Sequence, residues 1–389
     1  MPHFKKRIPN LTGCVVDDGT LLLKKLVGAG AFGKLYRGVE TESACSSRRS
    51  SWASSSSDSS LSSSESSSSS ESKPRVYAVK CLRNTVMYDG QESLAANERH
   101  FHSLVSNHPN IVTLRRHFTD SSKKHMFFVM DFYSSGDMSL AIADGLYHRN
   151  SALIKRTFAQ LGDAVTFCHN LGVYHRDIKP ENILVDHEGE NPRLTDFGLA
   201  TCYASTYDYE CGTIPYMPPE SFLESCTGPC YSDFSDAWAL GITLINLVAS
   251  QLPWDAARVS TDARFNEFIG GKKSFLHRHQ PLSRPLIRFL ARFLHLEPWK
   301  RIPLAEFAEK LEGIEDLFIS EEELERASEG TREWARREGP GRPLVGESHT
   351  HGVGRGVIPR LALPVCRFAV GEASQGFRGV LRRLRFWRK

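Results

Sequence analysis

The stretch Tyr174 to Val185, "YHRDIKPENILV", packs two acids, three bases and an amide between apolar residues. So charged a segment makes a poor core strand and a poor amphipathic helix. Its side chains suit the transfer of a phosphoryl group. Asp177 can orient a hydroxyl and accept its proton. Lys179 can neutralise charge on the moving group, and Asn182 can ligate a metal ion through its amide oxygen. Farther on, "LTDFGLA" sets Asp196 just after a short strand. An isolated Asp in a turn is usually a turn former. With Asn182 it makes two oxygen ligands suited to Mg2+, which favours oxygen donors and keeps phosphate oxygens in its shell.

Phosphates also need a cover and a counter-charge. The turn "GAGAFGKL" holds Gly28, Gly30 and Gly33, and glycines let a backbone approach a phosphate closely. A lone pattern of this kind also fits a dinucleotide site, where the third glycine opens a helix. Here "KLYRGVE" alternates like a strand, so strand–turn–strand is the better reading. Lys80 in "YAVKC" ends a buried strand pattern. Its bland reading is a surface lysine; its functional one is a phosphate ligand held by an anion. Glu98 on the next helix is the first candidate partner, and Glu92 the second.

The elements that must hold these residues follow from periodicity. Residues 20–42 read as two strands around the glycine turn. "RVYAVKCL", "IVTLRRHF" and "HMFFVMDF" read as further strands, and "QESLAANERHFHSLVSN" as a helix. Ile154, Phe158, Leu161, Val165 and Cys168 recur at three or four, the stripe of a long helix. "AWALGITLINLVA" (Ala237 to Ala249) is shorter than the roughly 20 residues of a membrane span and reads as a buried helix. Strands first and helices later imply an α+β chain in two lobes: a small β-rich N-lobe with one main helix, and a larger helical C-lobe.

The domain limits expected are an N-terminal extension 1–19, a domain 20–319 with a serine-rich insert at 43–74, and a mostly disordered basic tail 320–389. The serine tract lacks the apolar residues that would offset the entropy of ordering it. As a surface insertion it is tolerable, because closure entropy grows only with the logarithm of length. It reads either as a multiply phosphorylated charge switch or as an inert spacer. "SEEELERASEGTREWARRE" could extend a helix. The final "FRGVLRRLRFWRK" sets Phe377, Leu381, Leu384 and Trp387 near one basic amphipathic face, a pattern for a membrane surface or calmodulin. The competing reading is a disordered basic tail.

Composition bounds the rest. The chain has 389 residues, 40% hydrophobic and 24% charged, with a net charge of +4. That charge is too small to argue for nucleic acid. "MPHFKKRIPNLTG" has no apolar h-region, so no signal peptide is expected. The nine cysteines are scattered; Cys226 and Cys230 have no second pair nearby, so zinc is not expected. A reduced protein, cytoplasmic and/or nuclear and monomeric, is the expectation.

"GAGAFGKL", "YAVK", "HRDIKPEN", "DFG" and "MPPE" occur in this order over about Leu21 to Ile319, and in this the chain resembles eukaryotic protein kinases. The opening "DDGTLLLKKLVGAGAFGKLYRGVE" is similar to fungal kinases linked to nutrient signalling and control of meiosis. The resemblance implies serine/threonine kinase activity with ATP and Mg2+. It implies Gly28, Ala29, Gly30 and Gly33 over the phosphates, and Lys80 on the α- and β-phosphates, paired with Glu98. It makes Asp177 the catalytic base, with Asn182 and Asp196 as metal ligands. Met130 would guard the adenine pocket. Asp131 and Tyr133 would bond adenine through backbone, with Asp137 near the ribose and Val27, Leu35 and Ala78 around the base. Asp236 would hold the catalytic-loop backbone, against the bland reading of a helix N-cap. Glu220 would pair with Arg301 in the interior, against the bland reading of surface exposure.

"HRDIKPEN" and Thr213 resemble the serine/threonine branch. Glu181 matches a position that in basophilic relatives reads an arginine upstream of the target. Arg176 often binds an activation-loop phosphate in such kinases. Here either a carboxylate flanking Tyr209 (Asp208 or Glu210) replaces that phosphate, or Ser205 or Thr206 is phosphorylated. Two further classes compete with an active protein kinase: a non-catalytic scaffold, which loss of the lysine, base or metal ligands would favour, and a small-molecule kinase, which the "MPPE" segment disfavours.

Overall fold

The computed structural model describes residues 8–30, 33–45, 73–84, 94–223 and 228–336. Six antiparallel strands form the first layer: β1 (Val15–Val16), β2 (Leu21–Ala29), β3 (Gly33–Glu40), β4 (Val76–Arg83), β5 (Leu114–Thr119) and β6 (His125–Asp131), in the order β1-β2-β3-β4-β6-β5. Alternation in β4 divides its side chains between two faces. Tyr77, Val79 and Cys81 point into a core with Leu21, Leu23, Tyr36, Phe127 and Val129. Ala78 and Lys80 point the other way. A register slip of one residue would exchange these faces and bury Lys80 in the apolar core.

Gly33 is where this sheet requires a glycine: a Cβ there would lie 2.6 Å from the Cys81 carbonyl oxygen. Gly28 has room, its nearest neighbour to such an atom being Leu35 Cβ at 3.9 Å. The turn is closed by Gly30 N–H donating to Gly33 O at 3.0 Å.

The helix Leu94–Val105 packs on the sheet through Ala95, Glu98, Phe101, His102 and Val105, a single face at helical spacing. Of the expected helix, residues 91–93, Glu92 among them, lie outside the described residues. The strand expected from Ile111 begins instead at Leu114. Ile111 bridges Leu194, and Val112 N–H donates to Leu194 O, so this short segment is tied to the second half of the molecule.

That half is helical. Ser151–Asn170, capped by Asn150 accepting from Leu153 N–H at 3.0 Å, buries the expected Ile154, Phe158, Leu161, Val165 and Cys168. Ser232–Ala249 is buried on nearly all sides and runs beside it. Its apolar run is core; among the described residues no helix is long and apolar enough to cross a membrane. Two short strands, β7 (Ile183–Leu184) and β8 (Arg193–Leu194), pair with each other, and β9 (Ser205–Thr206) pairs with β10 (Cys230–Tyr231).

The packed body does not stop at Ile319. It continues through Glu321–Glu325 and Glu329–Arg336, two helices rather than one extension. Ser328 interrupts them and accepts from Thr331 N–H. Trp334 is 5% exposed and packs between Phe318 and His148. A fully buried side chain of this size is worth several kcal/mol, on the order of 3, which offsets the cost of ordering the two turns. The serine tract between Ser46 and Ser72 and everything after Arg336, including the basic amphipathic segment, lie outside the described residues.

Candidate active site

Lys80 Nζ lies 2.8 Å from Glu98 Oε2 and 2.8 Å from Asp196 Oδ1. Strand β4 supplies the lysine, the helix Leu94–Val105 the glutamate, and the turn after β8 the aspartate, at φ +70°. Burial alone would lower the Lys80 pKa, but the two carboxylates override it and raise it. Burial would likewise raise that of Asp196; the Lys80 ammonium instead holds the carboxyl well below the usual carboxylate range.

The stretch Tyr174–Val185 supplies a second cluster of charged side chains. Asp177 Oδ1 accepts from Thr213 Oγ1 at 2.6 Å, and Oδ2 meets Asn182 Nδ2 at 3.0 Å and Lys179 Nζ at 2.9 Å. Lys179 also donates to Thr213 Oγ1 at 2.6 Å. His175 Nδ1 accepts from Asp177 N–H, so Nε2 carries the proton and donates to Thr195 O at 3.1 Å. Every polar atom of this ring has a partner, which fixes the tautomer.

Asp236 holds the loop from behind. Its carboxylate, 0% exposed, accepts from His175 N–H, Arg176 N–H and His169 Nε2 at 2.8, 2.7 and 2.8 Å. It sits inside the helix Ser232–Ala249, not at its N-cap, which is Tyr231. Arg176 is thereby kept at φ +63°. Its guanidinium donates to Leu199 O at 2.8 Å and to Asp208 Oδ2 at 3.1 Å. Of the two acids beside Tyr209, then, Asp208 reaches Arg176, while Glu210 pairs with Arg258 at 2.7 Å. Ser205 and Thr206 form β9, and Thr206 Oγ1 accepts from Asp208 N–H. Gly212 seats the activation segment on the loop: at φ +121°, a Cβ there would be 2.7 Å from Arg176 O. Deeper still, Arg301 meets Glu220 in a two-pronged pair at 2.7 and 2.8 Å and lies over the Trp238 ring.

An apolar slot adjoins Lys80. Leu35, Ala78, Met130 and Tyr133 share one cluster with Leu114 and Leu184. Leu184 escaped the sequence reading, although alternation in "NILV" puts it on the same face as Asn182. Val27 stands outside the cluster and is exposed. Asp131 N–H is taken by Thr113 O, and its carboxylate by Arg115. The Tyr133 ring lies under the Arg193 guanidinium. Asp137 caps the helix Met138–Ala143, accepting from Ser139 and Leu140 N–H. Ala29 and Gly30 are exposed at the mouth of the glycine turn.

The donor set fits a hard divalent cation. Asn182 Nδ2 donates to Asp177 O and Oδ2, which leaves its amide oxygen as the free ligand atom. Asp196 uses Oδ1 for Lys80 and keeps a second oxygen. Among the described residues no group of three or more His, Cys, Asp or Glu could hold a metal alone. Two protein oxygens completed by phosphates and water are what Mg2+ typically uses.

A general model of the protein kinase domain matches residues 62–311, well over half of the chain, and the chain belongs to the protein kinase family. The matched residues start inside the serine tract, so β1 to β3 and the glycine turn precede them; the β3–β4 ladder, from Gly33↔Leu82 to Val39↔Val76, joins those strands to the matched part. The chain is 32% identical over 327 residues to the "Negative regulator of sexual conjugation and meiosis" of Schizosaccharomyces pombe, covering 79% of this chain and 62% of that protein. It is 34% identical over 227 residues to the serine/threonine-protein kinase SKS1 of Saccharomyces cerevisiae, covering 55% and 44%. It is 36% identical over 184 residues to CBL-interacting protein kinase 8 of Oryza sativa subsp. japonica, covering 44% and 40%. The chain thus spans less than two thirds of the length of these curated relatives.

Proposed function

We propose that the chain is a serine/threonine protein kinase that transfers the γ-phosphoryl group of ATP to protein hydroxyls, with Mg2+ as cofactor. The observation that carries this is Lys80 Nζ at 2.8 Å from both Glu98 and Asp196. A scaffold that had given up catalysis would have no need of this pair together with an intact Asp177 and Asn182.

In this reading the slot of Leu35, Ala78, Met130 and Leu184 takes the adenine, with backbone bonds to the Asp131 carbonyl, since its N–H is held by Thr113 O, and to Tyr133. Gly28 to Gly33 cover the phosphates and Lys80 neutralises them. Mg2+ held by Asn182 and Asp196 would draw charge from the β- and γ-phosphates. Asp177 orients the substrate hydroxyl and takes its proton as the bond to phosphorus forms. Lys179, hydrogen-bonded through Thr213, keeps positive charge beside the transferring group.

The substrate is a protein serine or threonine. Glu181 Oε2 is buried with no hydrogen-bond partner among the described residues, and burial raises that carboxyl's pKa. An arginine upstream of the target would satisfy it, which supports a basophilic preference. A monomer acting in the cytoplasm and/or nucleus, in nutrient or developmental control, is the companion proposal; the name of the Schizosaccharomyces pombe relative, a regulator of sexual conjugation and meiosis, supports developmental control.

The test is transfer of radiolabelled γ-phosphate from Mg-ATP to arrayed serine, threonine and tyrosine peptides, with Asp177→Asn as control. Label on serine or threonine that the substitution lowers by about 10²–10⁴-fold is the expected outcome. No label above the control overturns the proposal.

A further inference from the structure

The helix Leu94–Val105 faces the turn Phe197–Leu199, which follows directly on Asp196. The approach is close: a Cβ on Gly198 would lie 3.4 Å from Glu98 Oε2 and 3.9 Å from Leu94 O. Leu94, Asn97 and Glu98 stand at helical spacing and share the face turned to it. Glu98 is spent on Lys80. Asn97 has no part in that chain of ion pairs. Its Nδ2 lies 3.4 Å from Gly198 O and 3.4 Å from Ala200 O. Both partners are carbonyls and can only accept, so the amide nitrogen faces them and gives one of its two hydrogens to each.

The carbonyl between them is taken from the other side. Arg176 Nε donates to Leu199 O at 2.8 Å, and Arg176 is itself anchored by its N–H to Asp236 Oδ1 at 2.7 Å. The successive carbonyls of Gly198, Leu199 and Ala200 are therefore gripped alternately by the helix and by the stretch Tyr174–Val185. The backbone beyond is fixed as well: Thr201 and Tyr174 exchange N–H to O bonds, each 2.9 Å.

This bears on Asp196. It stands at φ +70°, which a residue other than glycine keeps only where its surroundings hold it. Lys80 fixes one carboxylate oxygen. The direction of the other, the one open to a metal ion, depends on the backbone beneath it. Adjacent residues of one helix thus hold both parts of the turn: Glu98 reaches the Asp196 side chain through Lys80, and Asn97 reaches the backbone at Gly198 and Ala200. A shift of the helix pulls on both.

We infer that Asn97 is a positioning residue: its amide clamps the backbone after Asp196 to the helix that carries Glu98, so that this helix and the oxygen Asp196 offers a metal ion move as one piece. Only the metal's part in this rests on the kinase reading; the clamp itself is measured without turnover.

Amide hydrogen exchange of the full chain, read by mass spectrometry over residues 194–204, tests the clamp. Asn97→Leu keeps the bulk and removes the donor, Asn97→Asp sets a carboxylate against two carbonyls, and Asn97→Gln keeps the donor on a longer arm. Exchange about tenfold faster in the Leu and Asp variants is expected, with Asn97→Gln between them and the wild type. Calorimetry with ADP is the second arm. Asn97→Leu should need about tenfold more Mg2+ to half-saturate the ADP complex, while its affinity for adenosine, which carries no phosphate, stays unchanged. A side chain that merely stabilised the fold would lower adenosine affinity and melting temperature together and leave the Mg2+ requirement where it was. That pattern, or wild-type exchange in Asn97→Leu, overturns the inference. A wild type that binds no ADP would strike the kinase reading instead, and the exchange measurement would still decide the clamp.

Discussion

Asp236→Asn tests whether the catalytic loop is held from behind. The wild-type carboxylate serves three donors: Arg176 N–H on Oδ1, and His175 N–H and His169 Nε2 on Oδ2. An asparagine has one acceptor oxygen. If that oxygen takes the Oδ2 position, the amide nitrogen confronts Arg176 N–H, donor against donor. Turned the other way it confronts two donors. In the better case one charge-assisted bond is lost, about 2 kcal/mol, and two weaken to neutral bonds, about 1 kcal/mol each. The total is about 4 kcal/mol. The bond lost is the one that holds Arg176 at φ +63°, a conformation that costs a non-glycine residue about 1 kcal/mol or more. Relaxation there displaces Asp177, the next residue. Peptide phosphorylation should fall by about 100-fold or more, and scanning fluorimetry should show a loss of about 10 °C if the folded state bears the penalty. Turnover within threefold of wild type together with an unchanged melting temperature would refute the reasoning.

Asp208→Ala should reduce turnover only about threefold, since the Arg176–Asp208 contact is partly exposed and such pairs contribute about 0.5–1 kcal/mol; phosphatase-treated wild type should keep its full rate if the Asp208 carboxylate, paired with Arg176, serves in place of a phosphate. Arg301→Met strands Glu220 beside the core and should cost about 3–5 kcal/mol, read as a lowered urea midpoint, with part recovered in the double variant Glu220→Gln/Arg301→Met. Burial would raise Asp120, but bonds from the side chain and backbone of His125, Ser122 and Lys124 bring it from 3.8 to about 2. A depressed carboxyl contributes stability above its unfolded value that disappears as pH falls through the folded one. The melting-temperature gap between wild type and Asp120→Asn should therefore be full at pH 5 and close between about pH 4 and 2; a gap independent of pH would contradict this.

Much of the candidate site was legible because each candidate residue sits in a local signal: Lys80 at the end of an alternating strand, Asp177 and Asn182 in a charge-dense loop, Asp196 after a short strand. Glu98 was nameable because its helix follows directly on β4. What stayed hidden depends on contacts between distant segments. Leu184 joins the slot only once β7 lies under the sheet. Ile111 reads as strand but is captured by Leu194 in the other half. Trp334 reads as part of a tail until Phe318 and His148 are seen to enclose it. His102 looks like one more polar residue on a helix until the fold buries it with Nε2 2.6 Å from Val112 O.

The place where β3 ends and β4 begins is stitched shut. Glu40 N–H donates to Arg75 O, and the Glu40 carboxylate accepts from Arg75 N–H and from Tyr77 Oη. Whatever chain leaves after Cys45 must come back to a spot already clasped on the outer rim, away from the nucleotide slot. A fluorescent reporter or an affinity handle spliced between those points should therefore leave the β3–β4 ladder in register.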